Sequence, residues 1–107
     1  MLSLYQGGRV YIFEYNEDYT HHSCTYEVVS EGVSKEKNKQ QSIPVNETRW
    51  WCEQILSGKP IILTSLKQLP EEAEDEYKFL DAQGICSLMV APLMAGDRVW
   101  GFMGIDL

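Results

Sequence analysis

Gln83-Gly84-Ile85-Cys86-Ser87-Leu88-Met89-Val90-Ala91-Pro92-Leu93 runs through Ala95-Gly96-Asp97 into Val99-Trp100-Gly101-Phe102-Met103-Gly104-Ile105-Asp106. Two apolar runs of about strand length flank a short Gly-Asp turn, the pattern of a β-hairpin held in a protein interior. Upstream, an acidic helix is expected from Pro70 to about Ala82, stopped by Gly84. Pro70 falls in its first turn, where a missing N–H costs little, and Glu71, Glu72 and Glu74 favour the positive end of the helix dipole. Ala73, Tyr77 and Leu80 form its expected inward stripe. The order is therefore helix, glycine, strand, turn, strand.

The same signals extend toward the amino terminus. In Arg9 to Tyr15, the residues Tyr11, Phe13 and Tyr15 fall on one face and Val10 and Ile12 on the other, so both faces are apolar and the strand is central. Asn16-Glu17-Asp18 supplies turn chemistry, and a second strand follows from about Ser23 to Ser30. Glu31 to Gln41 reads as a surface loop. Ile43-Pro44-Val45 is extended, because proline disfavours a helical residue before it. Asn46 is the expected cap of a helix to about Ser57, with Thr48, Trp51, Cys52 and Ile55 as its buried stripe and Gly58 as its end. Pro60 to Thr64 is a short strand at an edge or strand start. The sum is five strands and two helices, without repeat or internal linker. Leu2 and Tyr5 begin the chain with no helix before them and Leu107 follows directly on a strand. The expectation is an excised module, residues 1–107 as one domain, with its flanking helices outside this window and an apolar sheet face exposed.

Composition bounds the function classes. The 107 residues are enough for one core, and 44% hydrophobic with 23% charged residues is an ordinary globular balance. A formal charge of −7 disfavours nucleic acid and anionic membrane, which both require a basic field. The three lysines between Lys35 and Lys39 are broken by Glu36 and Asn38 and read as a solvated loop. No apolar run reaches the ~18 residues that span a bilayer. Three cysteines, Cys24, Cys52 and Cys86, are odd in number and widely spaced, which fits a reducing compartment better than a disulfide framework. A cytoplasmic location is expected, within a parent that can itself be membrane-anchored.

Several pieces together carry a family resemblance: Arg9-Val10-Tyr11-Ile12-Phe13-Glu14, Tyr26-Glu27-Val28-Val29-Ser30-Glu31-Gly32, the helix with Arg49-Trp50-Trp51, Leu80 to Ser87, and Pro92-Leu93 with Val99 to Asp106. In this order they resemble the GAF domains of bacterial sensor histidine kinases and diguanylate cyclases. The resemblance implies an α+β, PAS-like (profilin-like) antiparallel sheet of about five to six strands flanked by helices, with terminal helices on one face, truncated here, and a small-molecule pocket on the other. It also implies a homodimer, an output kinase domain in the same chain, and a regulatory rather than catalytic role in two-component signalling. The cyclic-nucleotide signature Asn-Lys-Phe-Asp-Glu is absent. No cysteine has the Pro-His context of bilin attachment, and the cysteine spacing differs from that of methionine-sulfoxide reductases. No fixed cofactor is expected, only an unidentified small-molecule ligand.

Individual constellations are weighed against plainer readings. In His21-His22-Ser23-Cys24, His22 and Cys24 share a strand face, but a metal site needs further ligands, and a polar turn leading into a strand is the expectation. Cys52 on a buried helix face and Cys86 in an apolar strand read as small hydrophobes, which leaves a thiol-based redox sensor as a rival reading. Glu71, Glu72, Glu74, Asp75 and Glu76 read as a solvated helix face. The aromatic residues are numerous, and rings with a polar tip line pockets well. The ligand-binding candidates are Phe13, Tyr26 and Trp51, with Glu27 and Arg49 as polar anchors. Alternation alone does not say which sheet face holds the pocket. A purely structural dimerisation module without ligand is the second rival.

Overall fold

The computed structural model describes residues 8–33 and 35–107. Its strands are β1 (Arg9–Tyr15), β2 (His21–Val29), β3 (Ile43–Pro44), β4 (Ile61–Leu63), β5 (Leu88–Ala95) and β6 (Arg98–Asp106). Helix α1 (Arg49–Leu56) lies between β3 and β4, and α2 (Glu74–Ala82) between β4 and β5. The strands form one sheet in the order β3-β2-β1-β6-β5-β4, every neighbouring pair antiparallel. This is the expected α+β sheet with β1 in its interior and the proline-led β4 at an edge. Leu2 and Tyr5 lie outside the described residues.

The β5–β6 hairpin turns on Gly96-Asp97, with Ala95 opposite Arg98 and Gly96 at a φ of 65° that costs glycine little. The β1–β2 turn uses side chains instead. Asn16 Oδ1 accepts from the Thr20 and His21 N–H groups at 2.9 and 3.0 Å. Two bulges re-aim the strands. Thr25 is left over between the pairs Ile12–Tyr26 and Phe13–Cys24, and Trp100 between Leu93–Gly101 and Met94–Val99.

Both sheet faces are apolar, but only one is covered among the described residues. The inner face presents Tyr11, Cys24, Ile61, Leu63, Leu88, Val90 and Phe102 to α1 and α2, which contribute Trp51, Ile55 and Leu80 to the same buried cluster. Gly104 is required here, since a Cβ would lie 2.6 Å from the Tyr11 ring that crosses it. On the outer face, Tyr26, Val28, Met103, Ile105, Met89 and Ile62 are exposed. Cross-strand pairing makes them one patch with the half-buried Val10 and Ile12.

Four expectations need correction. A sixth strand, β3, exists because Ile43 and Pro44 pair with His22 and His21. Asn46 does not cap α1: Val45–Thr48 is a 3-10 turn, the helix begins at Arg49, no side chain of the preceding residue caps it, and Thr48 is half-buried rather than buried. In α2 the inward stripe is Ala73, Glu76 and Leu80, while Tyr77 is exposed, because a 3-10 turn at Glu71–Ala73 rotates the start of the α-helix. Cys86 precedes β5 and is exposed.

Candidate functional site

Between the inner sheet face and the two helices lies a cavity of about 380 Å³, within the range of small-molecule sites. Its floor is aromatic. Phe13 stacks on Phe102 with ring centres 5.0 Å apart, and Trp51 meets Phe102 edge-on at 5.9 Å. Tyr11 meets Phe13 edge-on at 5.7 Å. The register produces this cluster by placing Phe13 directly opposite Phe102 on neighbouring strands.

Charged groups frame the rings. Arg9 pairs with Glu27 at 3.1 Å and lies 3.8 Å from Asp106, whose Oδ1 accepts the Tyr11 hydroxyl proton at 2.8 Å. Burial pushes the Asp106 carboxyl up to about 6, against the lowering effects of the Tyr11 hydrogen bond and of Arg9. Glu27 also accepts the Glu36 and Lys37 N–H groups at 2.9 to 3.0 Å, tying the loop after β2 to the sheet. Glu76 accepts the Trp51 N–H at 2.8 Å, so the third residue of α1 is capped from α2.

His22 is buried at 4% exposure among Phe13, Tyr15 and Phe102. Its Nε2 lies 3.3 Å from Thr48 Oγ1, and its Nδ1 is buried without a hydrogen-bond partner among the described residues. Desolvation lowers its pKa to about 4, with the nearby His21 adding in the same direction, so the imidazole is neutral at pH 7. Among the described residues no group of His, Cys, Asp and Glu is placed to hold a metal. Burial pushes the Cys24 and Cys52 thiols up, away from the reactive thiolate, and Thr48 lies 3.4 Å from Cys52 Sγ.

Of the five candidates, Phe13, Glu27 and Trp51 line the cavity together. Tyr26 stands half exposed on the opposite face, moved there by the Thr25 bulge, and Arg49 is exposed at the start of α1. His22, Glu76, Asp106 and Arg9 also line the cavity, none of them among the ligand-binding candidates: His22 was weighed only as a metal ligand and Glu76 only as part of a solvated helix face. Of these, Asp106 alone carries a signal in the sequence, a carboxylate that continues the apolar run Val99 to Ile105.

The family model for the GAF domain matches residues 1–107, the whole chain. The chain belongs to the GAF domain family. Among curated relatives, the methanogenesis regulatory histidine kinase FilI of Methanothrix harundinacea (strain 6Ac) is 33% identical over 106 residues, which cover 94% of this chain and 12% of that protein. The GAF domain thus spans about an eighth of that relative's length. Solved structures share its fold. The photoproduct state of GAF3 from Slr1393 of Synechocystis sp. PCC6803 superposes with a TM-score of 0.71 at 16% identity, over 92% of this chain and 63% of that one. The blue-light-absorbing form of the PixJ GAF domain of Thermosynechococcus elongatus gives 0.68 at 21% identity, over 92% and 56%. Among the described residues no helix of this GAF domain is long and apolar enough to cross a membrane.

Proposed function

We propose that this GAF domain is the sensory unit of a signalling protein, a histidine kinase, that binds a small molecule in the cavity between sheet and helices and catalyses nothing itself. The observation that carries this reading is the cavity, an aromatic floor of Phe13, Phe102 and Trp51 framed by a few buried polar groups. The regulatory histidine kinase among its relatives supports the kinase context. Ligand bound against α1 shifts the preferred packing of the elements around it, and the output kinase of a cytoplasmic homodimer responds to that shift. The test is thermal denaturation of the intact protein across a metabolite panel. A ligand that raises the melting temperature in proportion to the logarithm of its concentration, and fails to do so after Phe13→Ala, supports the reading. A panel without any shift opposes it.

A second reading, a dimerisation module without ligand, draws support from the apolar outer face of Tyr26, Val28, Met103, Ile105, Met89 and Ile62. On that reading Met89→Lys with Ile105→Lys weakens self-association in sedimentation, while no metabolite changes stability. The two readings are separable because the outer face and the cavity lie on opposite sides of the sheet.

A further inference from the structure

We propose that the cavity takes a small organic cation, an amine with an apolar or aromatic body, with Glu76 as its counter-charge and the rings of Phe13, Phe102 and Trp51 as its walls. This rests on the reading of the cavity as a ligand site and names the chemistry of the ligand. Among the described residues, six carboxyl groups and two cationic side chains line the cavity. Both cations are already matched by carboxylates of the same walls: Arg9 by Glu27 and Asp106, and Lys39 by Glu36 at 3.7 Å. Among the described residues the walls therefore offer an incoming anion no uncommitted cationic side chain.

Three lining carboxylates are left over, Glu47, Asp75 and Glu76, and of these Glu76 alone is buried while the other two are exposed to solvent. Glu76 is 4% exposed, and its one hydrogen bond among the described residues is from the Trp51 N–H. No ion pair reaches it among the described residues. The α1 N-terminus supplies about half a positive charge, so a buried negative charge remains that favours a cation from outside. The Trp51 residue that binds Glu76 through its backbone also contributes its ring to the cavity, and it touches Phe102, which stacks on Phe13. Aromatic rings attract a cation through their negative faces, most strongly where water is excluded.

His22 adds an independent observation. In the tautomer that donates Nε2–H to Thr48 Oγ1, its buried and unpartnered Nδ1 is an acceptor without a donor, on a side chain that lines the cavity. An ammonium N–H supplies such a donor. A neutral apolar ligand would leave His22 Nδ1 without a donor and Glu76 without a counter-charge.

The experiment is isothermal titration of the intact protein with phenethylammonium, 2-phenylethanol and 3-phenylpropionate, which share one aromatic body and differ in charge. Phenethylammonium is expected to bind tightest, by about tenfold to a hundredfold over the alcohol, as for a charge-assisted hydrogen bond. In Glu76→Gln, which keeps an acceptor for the Trp51 N–H, the ammonium and alcohol affinities are expected to converge to within about threefold. Circular dichroism checks that this variant is folded, and the wild-type ranking stands without it. Equal binding of ammonium and alcohol, or preference for the propionate, overturns the cation assignment and leaves the ligand site standing. A full ammonium preference in folded Glu76→Gln overturns the role of Glu76. Failure of all three probes, together with no bound small molecule in the intact protein, overturns the ligand site and this proposal with it.

Discussion

Asp106 and His22 line one cavity and respond to pH in opposite senses. Asp106 titrates near 6 in the fold against 3.8 when unperturbed, so between these values the native state holds a proton that the unfolded state releases. Its contribution is full below about pH 4 and is lost as pH rises through 6, on the order of 3 kcal/mol. His22 titrates near 4 against 6.5, so here the unfolded state holds the extra proton, and stability is lost as pH falls from 6.5 toward 4. The two slopes oppose each other. Urea unfolding across pH should show Asp106→Asn gaining on wild type as pH rises from 4 to 7, and His22→Gln gaining as pH falls from 7 to 4. The reverse order would contradict these environments. Gly104→Ala is expected to cost about 1–3 kcal/mol in the same assay, because its Cβ drives the Tyr11 ring away from Asp106. Neither His22 nor Glu76 was legible from the sequence as a wall of the cavity. A His-His pair beside a turn and a glutamate in an acidic helix read as solvated until distant residues close over them.

Elements were more legible than their ends. The short, largely apolar run from Arg9 to Tyr15 gives β1 as an interior strand, and the three-and-four spacing of Trp51, Cys52 and Ile55 gives α1 as a helix buried on one face. The two residues of β3 carry no period at all, and their pairing is a tertiary event. Helix α1 starts where Glu76 reaches across to Trp51 and not at Asn46. Asn46→Ala is therefore expected to change stability by less than about 0.5 kcal/mol, whereas Glu76→Ala leaves the buried Trp51 N–H unpaired at a cost of about 1–3 kcal/mol. Equilibrium denaturation of both variants decides, and a larger loss from Asn46→Ala would return the cap to that residue. Ile55, fully buried under the sheet, is expected to lose about 2–5 kcal/mol on change to alanine.

At the scale of the whole molecule, the ordered set of motifs from Arg9 to Asp106 carried the resemblance to the family that the chain belongs to. Each motif constrains one layer, and their sequence order fixes how the layers meet. What the sequence left open was the face of the sheet that holds the cavity, because β1 is apolar on both sides. The helices resolve it: α1 and α2 close over Phe13 and Phe102, while the outer patch around Met103 and Met89 stays bare among the described residues. The central claim is that the enclosed space receives a ligand. Native mass spectrometry of the intact protein tests it most directly. The account predicts a co-purified amine of a few hundred daltons, one per GAF domain, absent after Phe13→Ala. A clean apo mass, with dimers and no thermal shift across a metabolite panel, would contradict it.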